Sequence, residues 1–374
     1  MPDEFQADRR AAVAGLLPAV SPVRRLDPAG RLTSDEADYP APSDTLLTRA
    51  YEAMVIGRRL DAQCTALARQ GRIAAFPSSL GQEACEVGAA LSLRPTDWLF
   101  PTYRDSTALI TRGVDPLEVL TPVRGYGHCG YDPYATRCAP MATPLATQAS
   151  HAVGLAVAAR RRGEDLVAMV LLGDGATSEG DFHEAVNFAA VFAAPVVFLI
   201  QNNQYAISVP LRRQSAAPAL AYKGVGYGAR SEQVDGNDVL AVLAVLAAAI
   251  EHARSGLGPV LVEAHTYRMG PHTSTDDPSR YRDEAETELW RARDPISRLE
   301  AYLAGRGLVD VAGTARRAET GAADLRRQVA GEVSVDPASI FDHVYAAPPP
   351  SVAQQRSALR AELAEPLSSN GGRP

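Results

Sequence analysis

Two unbroken apolar runs, Leu166 to Leu172 and Pro195 to Ile200, have the length of strands. Between them Glu179 to Phe192 carries a helical period, with Phe182, Ala185, Val186, Ala189 and Ala190 on one face. A second helix is expected from Ala146 to Arg162, where three arginines and Gly163 suit a helix C-terminus. A third spans Asp238 to Arg254, followed by a strand from Val260 to Val262 with Ala264 as its outer limit. Runs that are continuous rather than alternating, separated by helices, predict a parallel sheet covered on both faces. The fold class is therefore α/β: a parallel sheet flanked by helices. Upstream, Ser43-Asp44 is a candidate N-cap for a helix through Leu46, Leu47, Ala50, Tyr51, Met54 and Val55. A loop at Phe76 to Gly81 leads to a small-residue helix from Gln82 to Leu91. Residues 121–144, rich in Gly, Pro and Tyr, form a long loop, and 271–283 a polar one.

The expected organisation is an extended N-terminal arm over residues 1–43, an α/β domain over 44–330 and a C-terminal helical segment over 331–374. Five prolines between Pro18 and Pro42 keep the arm extended, in a form suited to lying across a partner. The C-terminal helices run to about 366, broken by Pro348-Pro349-Pro350, and the last eight residues fray.

Composition narrows the function classes. The chain has 374 residues, and its 37 basic against 44 acidic side chains leave a net charge of −7, which disfavours a broad nucleic-acid surface. Its longest apolar run, Val239 to Ile250, is twelve residues. A membrane-spanning helix needs about 20. Four cysteines with no Cys-x-x-Cys pair exclude a disulfide framework and a structural zinc site, and point to a reducing cytoplasm. Cys129 and Cys138 are the one pair close enough in sequence to examine.

The chemistry concentrates at Leu172-Gly173-Asp174-Gly175-Ala176-Thr177-Ser178-Glu179-Gly180-Asp181. An apolar strand ends at Gly173, so Asp174 sits at a strand's carboxyl end, where open α/β sheets bind ligands. The following helix N-terminus offers amides to an anion. The next strand ends in Gln201-Asn202-Asn203-Gln204-Tyr205. The 26 residues between Gly175 and Asn202 hold one helix and one return strand. A right-handed crossover then brings Asp174 and Asn203 to one edge of the sheet. A carboxylate, an amide oxygen and a backbone carbonyl there form a hard oxygen site suited to Mg²⁺ shared with a diphosphate.

This Gly-Asp-Gly, 26 residues, Asn-Asn pattern is similar to the thiamine diphosphate motif. With Gly-Asp-Phe-His-Glu at 180–184 and Asn-Asn-Gln-Tyr-Ala-Ile-Ser at 202–208, residues 45–345 resemble the alpha subunit of the decarboxylating dehydrogenase of 2-oxo acid dehydrogenase complexes. The resemblance implies a thiamine diphosphate-binding fold, with thiamine diphosphate and Mg²⁺ as cofactors. It implies Asp174, Asn203 and the Tyr205 carbonyl as metal ligands, and Gly173, Gly175 and Ala176 along the diphosphate. In Pro101-Thr102-Tyr103-Arg104-Asp105, Tyr103 and Arg104 match the pair that grips the diphosphate, Arg104 with bidentate geometry. Thr143 and Leu145 match the segment beside the aminopyrimidine. His272, in Arg268-Met269-Gly270-Pro271-His272-Thr273-Ser274, matches a loop histidine at the reacting carbon that contacts the cofactor and orients the acyl acceptor. Phe76 and Tyr103 are candidates for the substrate pocket.

The implied reaction is decarboxylation of a small 2-oxo acid, with the acyl fragment passed to the lipoyl group of an acyltransferase core. In two-subunit relatives a beta subunit supplies the activating glutamate. A chain of this length is too short to hold that second half, so an α2β2 heterotetramer is expected. Phe76 to Ala84 and Gly130 to Pro133 resemble bacterial branched-chain members more than pyruvate members. Pyruvate dehydrogenation, acetoin cleavage and a non-catalytic cofactor-binding scaffold stay as alternatives. Three positions depart from the pattern. Gln204 replaces a glycine of many relatives, Gln201 replaces an arginine of some, and Thr273 stands where animal relatives carry a phosphorylated serine. Gly125 to Gly130 fits Gly-x-Gly-x-x-Gly, but it follows no strand and Asp132-Pro133 breaks the chain after it, so a dinucleotide site is not expected. His128, His151 and His183 are expected to be structural, His128 with a lesser chance of reaching the cofactor.

Overall fold

The computed structural model describes residues 13–33, 39–141, 143–331 and 335–364. Its centre is a five-stranded, wholly parallel sheet of β1 (Trp98–Phe100), β2 (Ala168–Gly173), β3 (Val196–Asn202), β4 (Arg230–Asp235) and β5 (Val260–His265), in spatial order β1-β2-β3-β5-β4. The apolar runs divide by parity. Val167, Met169, Leu171, Val197 and Leu199 enter one core, while Ala168, Val170, Leu172, Val196, Phe198 and Ile200 enter the other. This period of two, hidden in a continuous run, is why each strand is wholly buried. The helices Glu83–Ser92 and Val239–Arg254 cover the first face, and Thr147–Arg162 and Gly180–Val191 the second.

Two strands escape the sequence pattern. Trp98–Phe100 has only three residues, and Arg230–Asp235 carries Arg, Ser, Glu and Gln because it is a sheet edge. Gly175–Ser178 is a separate 3₁₀ turn, so the helix after the Gly-Asp-Gly motif begins at Gly180. Pro350 opens the helix Pro350–Ala364 instead of only interrupting one. The expected frayed tail lies outside the described residues.

The described part of the N-terminal arm lies on the chain's own sheet. The Val23 amide donates to the Gln233 carbonyl at 2.8 Å, and the Asp235 amide donates to the Val23 carbonyl at 3.0 Å. The unpaired edge of β4 supplies the reason. Arg298 locks this arrangement. Its guanidinium, 1% exposed, donates to Asp235 Oδ2 at 3.1 Å through both Nη atoms, to the Asp27 carbonyl at 3.0 Å, and to the Leu26 carbonyl. Arg298→Met is expected to destabilise the protein by about 3–5 kcal/mol, since it strands buried carboxylates at Asp235 and Asp238. Chemical denaturation measures this, and a loss below about 1 kcal/mol rejects the role of the buried pair.

Candidate functional site

The carboxyl ends of β2, β3 and β5 open into one cavity of about 560 Å³. Its wall includes Tyr103, Arg104, Thr143, Leu145, Gly173, Asp174, Gly175, Ala176, Asn203, Tyr205 and His272, which lie far apart in the sequence. The register Gly173↔Gln201 sets the β2 and β3 tips side by side, as the crossover argument requires.

Asp174 directly follows β2 and is 1% exposed. Burial pushes its carboxyl up to about 6, against the opposing hydrogen bond from Gln214 and the charge of Arg268. Gln214 Nε2 donates to its Oδ2 at 2.6 Å. A buried anion of this kind, with no ion pair among the described residues, is a site that gains from a cation. Glycine at 175 is a spatial requirement, since a Cβ there would lie 2.7 Å from the Ala206 Cβ. The turn is held from below: Thr177 Oγ1 donates to the Asp174 carbonyl at 2.8 Å, and Lys223 Nζ donates to the Thr177 carbonyl at 2.7 Å.

At the β3 tip the Tyr205 amide donates to Asn203 Oδ1 at 3.3 Å, and the Tyr205 hydroxyl donates to Glu286 at 2.7 Å. Gln204, where many relatives carry glycine, takes the left-handed backbone at φ 76°. Its Nε2 donates to the Asn202 carbonyl at 3.1 Å, a partial offset for the strain. An oxygen-rich tip of this composition (carboxylate, amide, carbonyl) fits a hard divalent cation. Among the described residues no cluster of three His, Cys, Asp or Glu competes with it for a metal.

Positive charge faces these acceptors. Arg104, 6% exposed, donates to the Ser78 carbonyl at 2.6 Å and to His272 Nδ1 at 3.1 Å. Arg268, 1% exposed, reaches the same Nδ1 at 3.2 Å and donates to the Ile207 carbonyl at 2.7 Å. Burial, then Arg104 and Arg268, bring the His272 pKa down to about 4. The His272 amide donates to Asp276 at 2.7 Å, which fixes the loop. Tyr103 packs edge-on to the His272 ring at 6.2 Å.

Phe76, a candidate for the substrate pocket, does not line this cavity. It is 3% exposed and buried among Leu60, Cys64, Leu67, Ile73 and Leu120, while its neighbours Ala75 and Pro77 face the cavity. The helix Asp44–Arg69 leaves an apolar slot that the ring fills. Sequence reasoning assigned no role to Arg268 or Gln82, which also line the cavity. For Arg268 a signal was available, since it lies four residues before His272 in the same quoted segment. His183 bonds to the Tyr227 hydroxyl at 2.8 Å, His151 is exposed, and neither it nor His128 reaches the cavity wall. Gly125 to Gly130 is a turn in which a Cβ at Gly130 would lie 2.1 Å from the Glu118 carbonyl. A four-residue helix, Pro133–Thr136, capped by Asp132, does follow it. All four cysteines are free thiols.

Residues 51–329 match the family described as dehydrogenase E1 component. The chain is 47% identical over 357 residues to the 3-methyl-2-oxobutanoate dehydrogenase subunit alpha of Mycobacterium tuberculosis, covering 94% of this chain and 97% of that relative. It is 38% identical over 335 residues to the pyruvate dehydrogenase E1 component subunit alpha of Acholeplasma laidlawii, covering 88% and 96%. The Staphylococcus aureus protein with that same description is 38% identical over 287 residues, covering 76% and 77%.

Proposed function

Since the chain belongs to the dehydrogenase E1 component family, we propose that it is the alpha subunit of an enzyme that oxidatively decarboxylates branched-chain 2-oxo acids of the 3-methyl-2-oxobutanoate type. The acyl fragment passes to the lipoyl group of a dihydrolipoyl acyltransferase. One observation carries the reading: the tips of two paired strands bring Asp174 and Asn203 into a single cavity with Arg104 and His272. The substrate class rests on the relative that shares 47% identity, against 38% for the pyruvate-named ones.

Asp174, Asn203 and the Tyr205 carbonyl hold Mg²⁺. The amides of Gly175 and Ala176, with Gly173, Tyr103 and Arg104, hold the diphosphate of thiamine diphosphate. Thr143 and Leu145 border its aminopyrimidine. When bound, the cofactor supplies the electron sink that makes loss of carbon dioxide feasible. Tyr103 borders the substrate, and His272 offers a neutral ring whose Nε2–H donates to developing negative charge and orients the acyl acceptor. Leu145, Pro122 and Val123 add apolar wall to the cavity.

A beta subunit completes the site with a glutamate in an α2β2 heterotetramer that docks on the acyltransferase core. The assembly works in the cytoplasm. Among the described residues no helix is long and apolar enough to cross a membrane. Co-production with the beta-type subunit is expected to give decarboxylation of 3-methyl-2-oxobutanoate at higher kcat/KM than pyruvate or acetoin, and the purified chain alone is expected to give none. Turnover by the lone chain sinks the two-subunit reading, and a preference for pyruvate sinks the substrate class.

A further inference from the structure

Four buried side chains form one hydrogen-bonded file that runs into the cavity wall, where Gln82, Gln201 and Asn203 line it. Gln201 Nε2 donates to Asp105 Oδ1 at 2.6 Å. Gln82 Nε2 donates to Gln201 Oε1 at 3.1 Å. Asn203 Nδ2 donates to Gln82 Oε1 at 2.9 Å. Asp105 is 0% exposed, Gln82 1%, Gln201 2% and Asn203 6%, so water cannot substitute for a mismatched partner.

A primary amide has one face that donates and one that accepts, and the two are nearly equal in shape. Nothing inside a file of amides therefore selects its direction; an end must. A carboxylate only accepts. Asp105 Oδ2 is already taken by the Thr102 amide at 2.6 Å, which leaves Oδ1 to demand a donor from Gln201. That demand turns the Gln201 oxygen toward Gln82, the Gln82 oxygen toward Asn203, and the Asn203 nitrogen inward. Asn203 Oδ1 is thus left to accept from the Tyr205 amide, a donor at the opposite end that asks for the same direction.

We infer that Asp105 is a positioning residue that sets the polarity of this amide file, so that Asn203 presents its oxygen, and not its nitrogen, to a divalent cation. The inference rests on the proposed metal site and adds to it the device that orients one ligand from three side chains away. It also gives Gln201 a reason to be an amide where some relatives carry arginine.

The substitutions that test it have opposite expected effects. In Asp105→Asn the Thr102 amide still claims the side-chain oxygen, so the new NH₂ faces Gln201 and the Gln201 and Gln82 amides reverse. Asn203 then turns its nitrogen to the cation and against the Tyr205 amide, or keeps its oxygen there and gives up its bond to Gln82, and either outcome weakens it as a ligand. In the double variant D105N/Q201E the carboxylate moves one place along the file. It accepts from the amide introduced at position 105 and from Gln82, and so restores the original direction at Gln82 and Asn203. The full chain, assembled with its beta-type subunit and supplied with thiamine diphosphate, is titrated with Mn²⁺, and free Mn²⁺ is read from its electron paramagnetic resonance signal. D105N is expected to raise the dissociation constant by at least about tenfold, the range for residues that orient a metal ligand. D105N/Q201E is expected to return to within about threefold of wild type, although it carries two changes. A merely structural role predicts the reverse order, with the double variant weaker and both following their thermal midpoints. Wild-type affinity in D105N, or no recovery in the double variant, overturns the inference while leaving the metal site standing. Absence of Mn²⁺ binding by wild type overturns the metal site and the inference with it. Should D105N fail to fold, Gln82→Leu cuts the file beside Asn203 and carries the same expectation of about tenfold, with an unchanged constant overturning the proposal.

Discussion

Asp174→Ala is expected to make thiamine diphosphate binding indifferent to Mg²⁺ and to lower decarboxylation by at least about a thousandfold, roughly 4 kcal/mol of lost transition-state stabilisation. The side chain is the one carboxylate among the proposed ligands. Its neighbours Asn203 and Tyr205 offer only neutral oxygens, too weak to draw Mg²⁺ from its hydration shell alone. The same substitution is expected to leave the cofactor-free chain at least as stable as wild type. Asp174 is buried, its Oδ2 has a single donor in Gln214, and it makes no ion pair among the described residues. Removing it relieves the cost of a buried anion. Calorimetric titration of the assembled enzyme with thiamine diphosphate, with and without Mg²⁺, reads the first effect, and thermal unfolding of the cofactor-free form reads the second. A strongly destabilised variant, or one that still responds to Mg²⁺, removes Asp174 from the metal site.

The strand tips were legible in the sequence because their chemistry is local. An apolar run that stops at Gly173-Asp174 and another that stops at Gln201-Asn202-Asn203 reveal both positions, and the 26 residues between fix their adjacency. The edge strand Arg230–Asp235 was not legible, because its burial is created by distant segments. Val23 and Arg298 cover it from far along the chain on either side. Phe76 illustrates the same limit from the opposite direction. An aromatic beside a functional loop can face either way, and the cavity on its other side was already walled by Ala75 and Pro77. Gln82 and Gln201 belong to this non-local class. Each is an ordinary amide in the chain, and only their convergence under Asn203 gives them a direction.

His272→Ala is expected to lower kcat by about a hundredfold or more, the usual range for a lost proton donor, through a ring whose state is fixed by its surroundings. Both Arg104 Nη2 and Arg268 Nη1 direct N–H groups at Nδ1, at 3.1 and 3.2 Å. A guanidinium never accepts, so Nδ1 carries the lone pair and the proton sits on Nε2. Burial, and after it the two cations, bring the pKa down to about 4, below the ordinary histidine value of about 6.5. The imidazolium is therefore absent across the working range, and the pH–rate curve of wild type carries no limb from His272 near neutrality. The linkage has the matching sign. Between about 6.5 and about 4 the unfolded chain binds this proton more readily than the folded one, so stability contributed here is lost as pH falls through that window. Arg104→Met removes one of the two cations and is expected to raise the His272 pKa, while burial and Arg268 still hold it below the ordinary histidine value. Histidine ¹⁵N shifts decide the matter directly. Wild type should show a non-titrating Nε2–H tautomer from about pH 5 to 8, and R104M a ring that takes up its proton at a higher pH than wild type does. A wild-type His272 that protonates near about 6.5, or that carries its proton on Nδ1, is incompatible with a site in which two buried arginines prepare a neutral donor for the reacting centre.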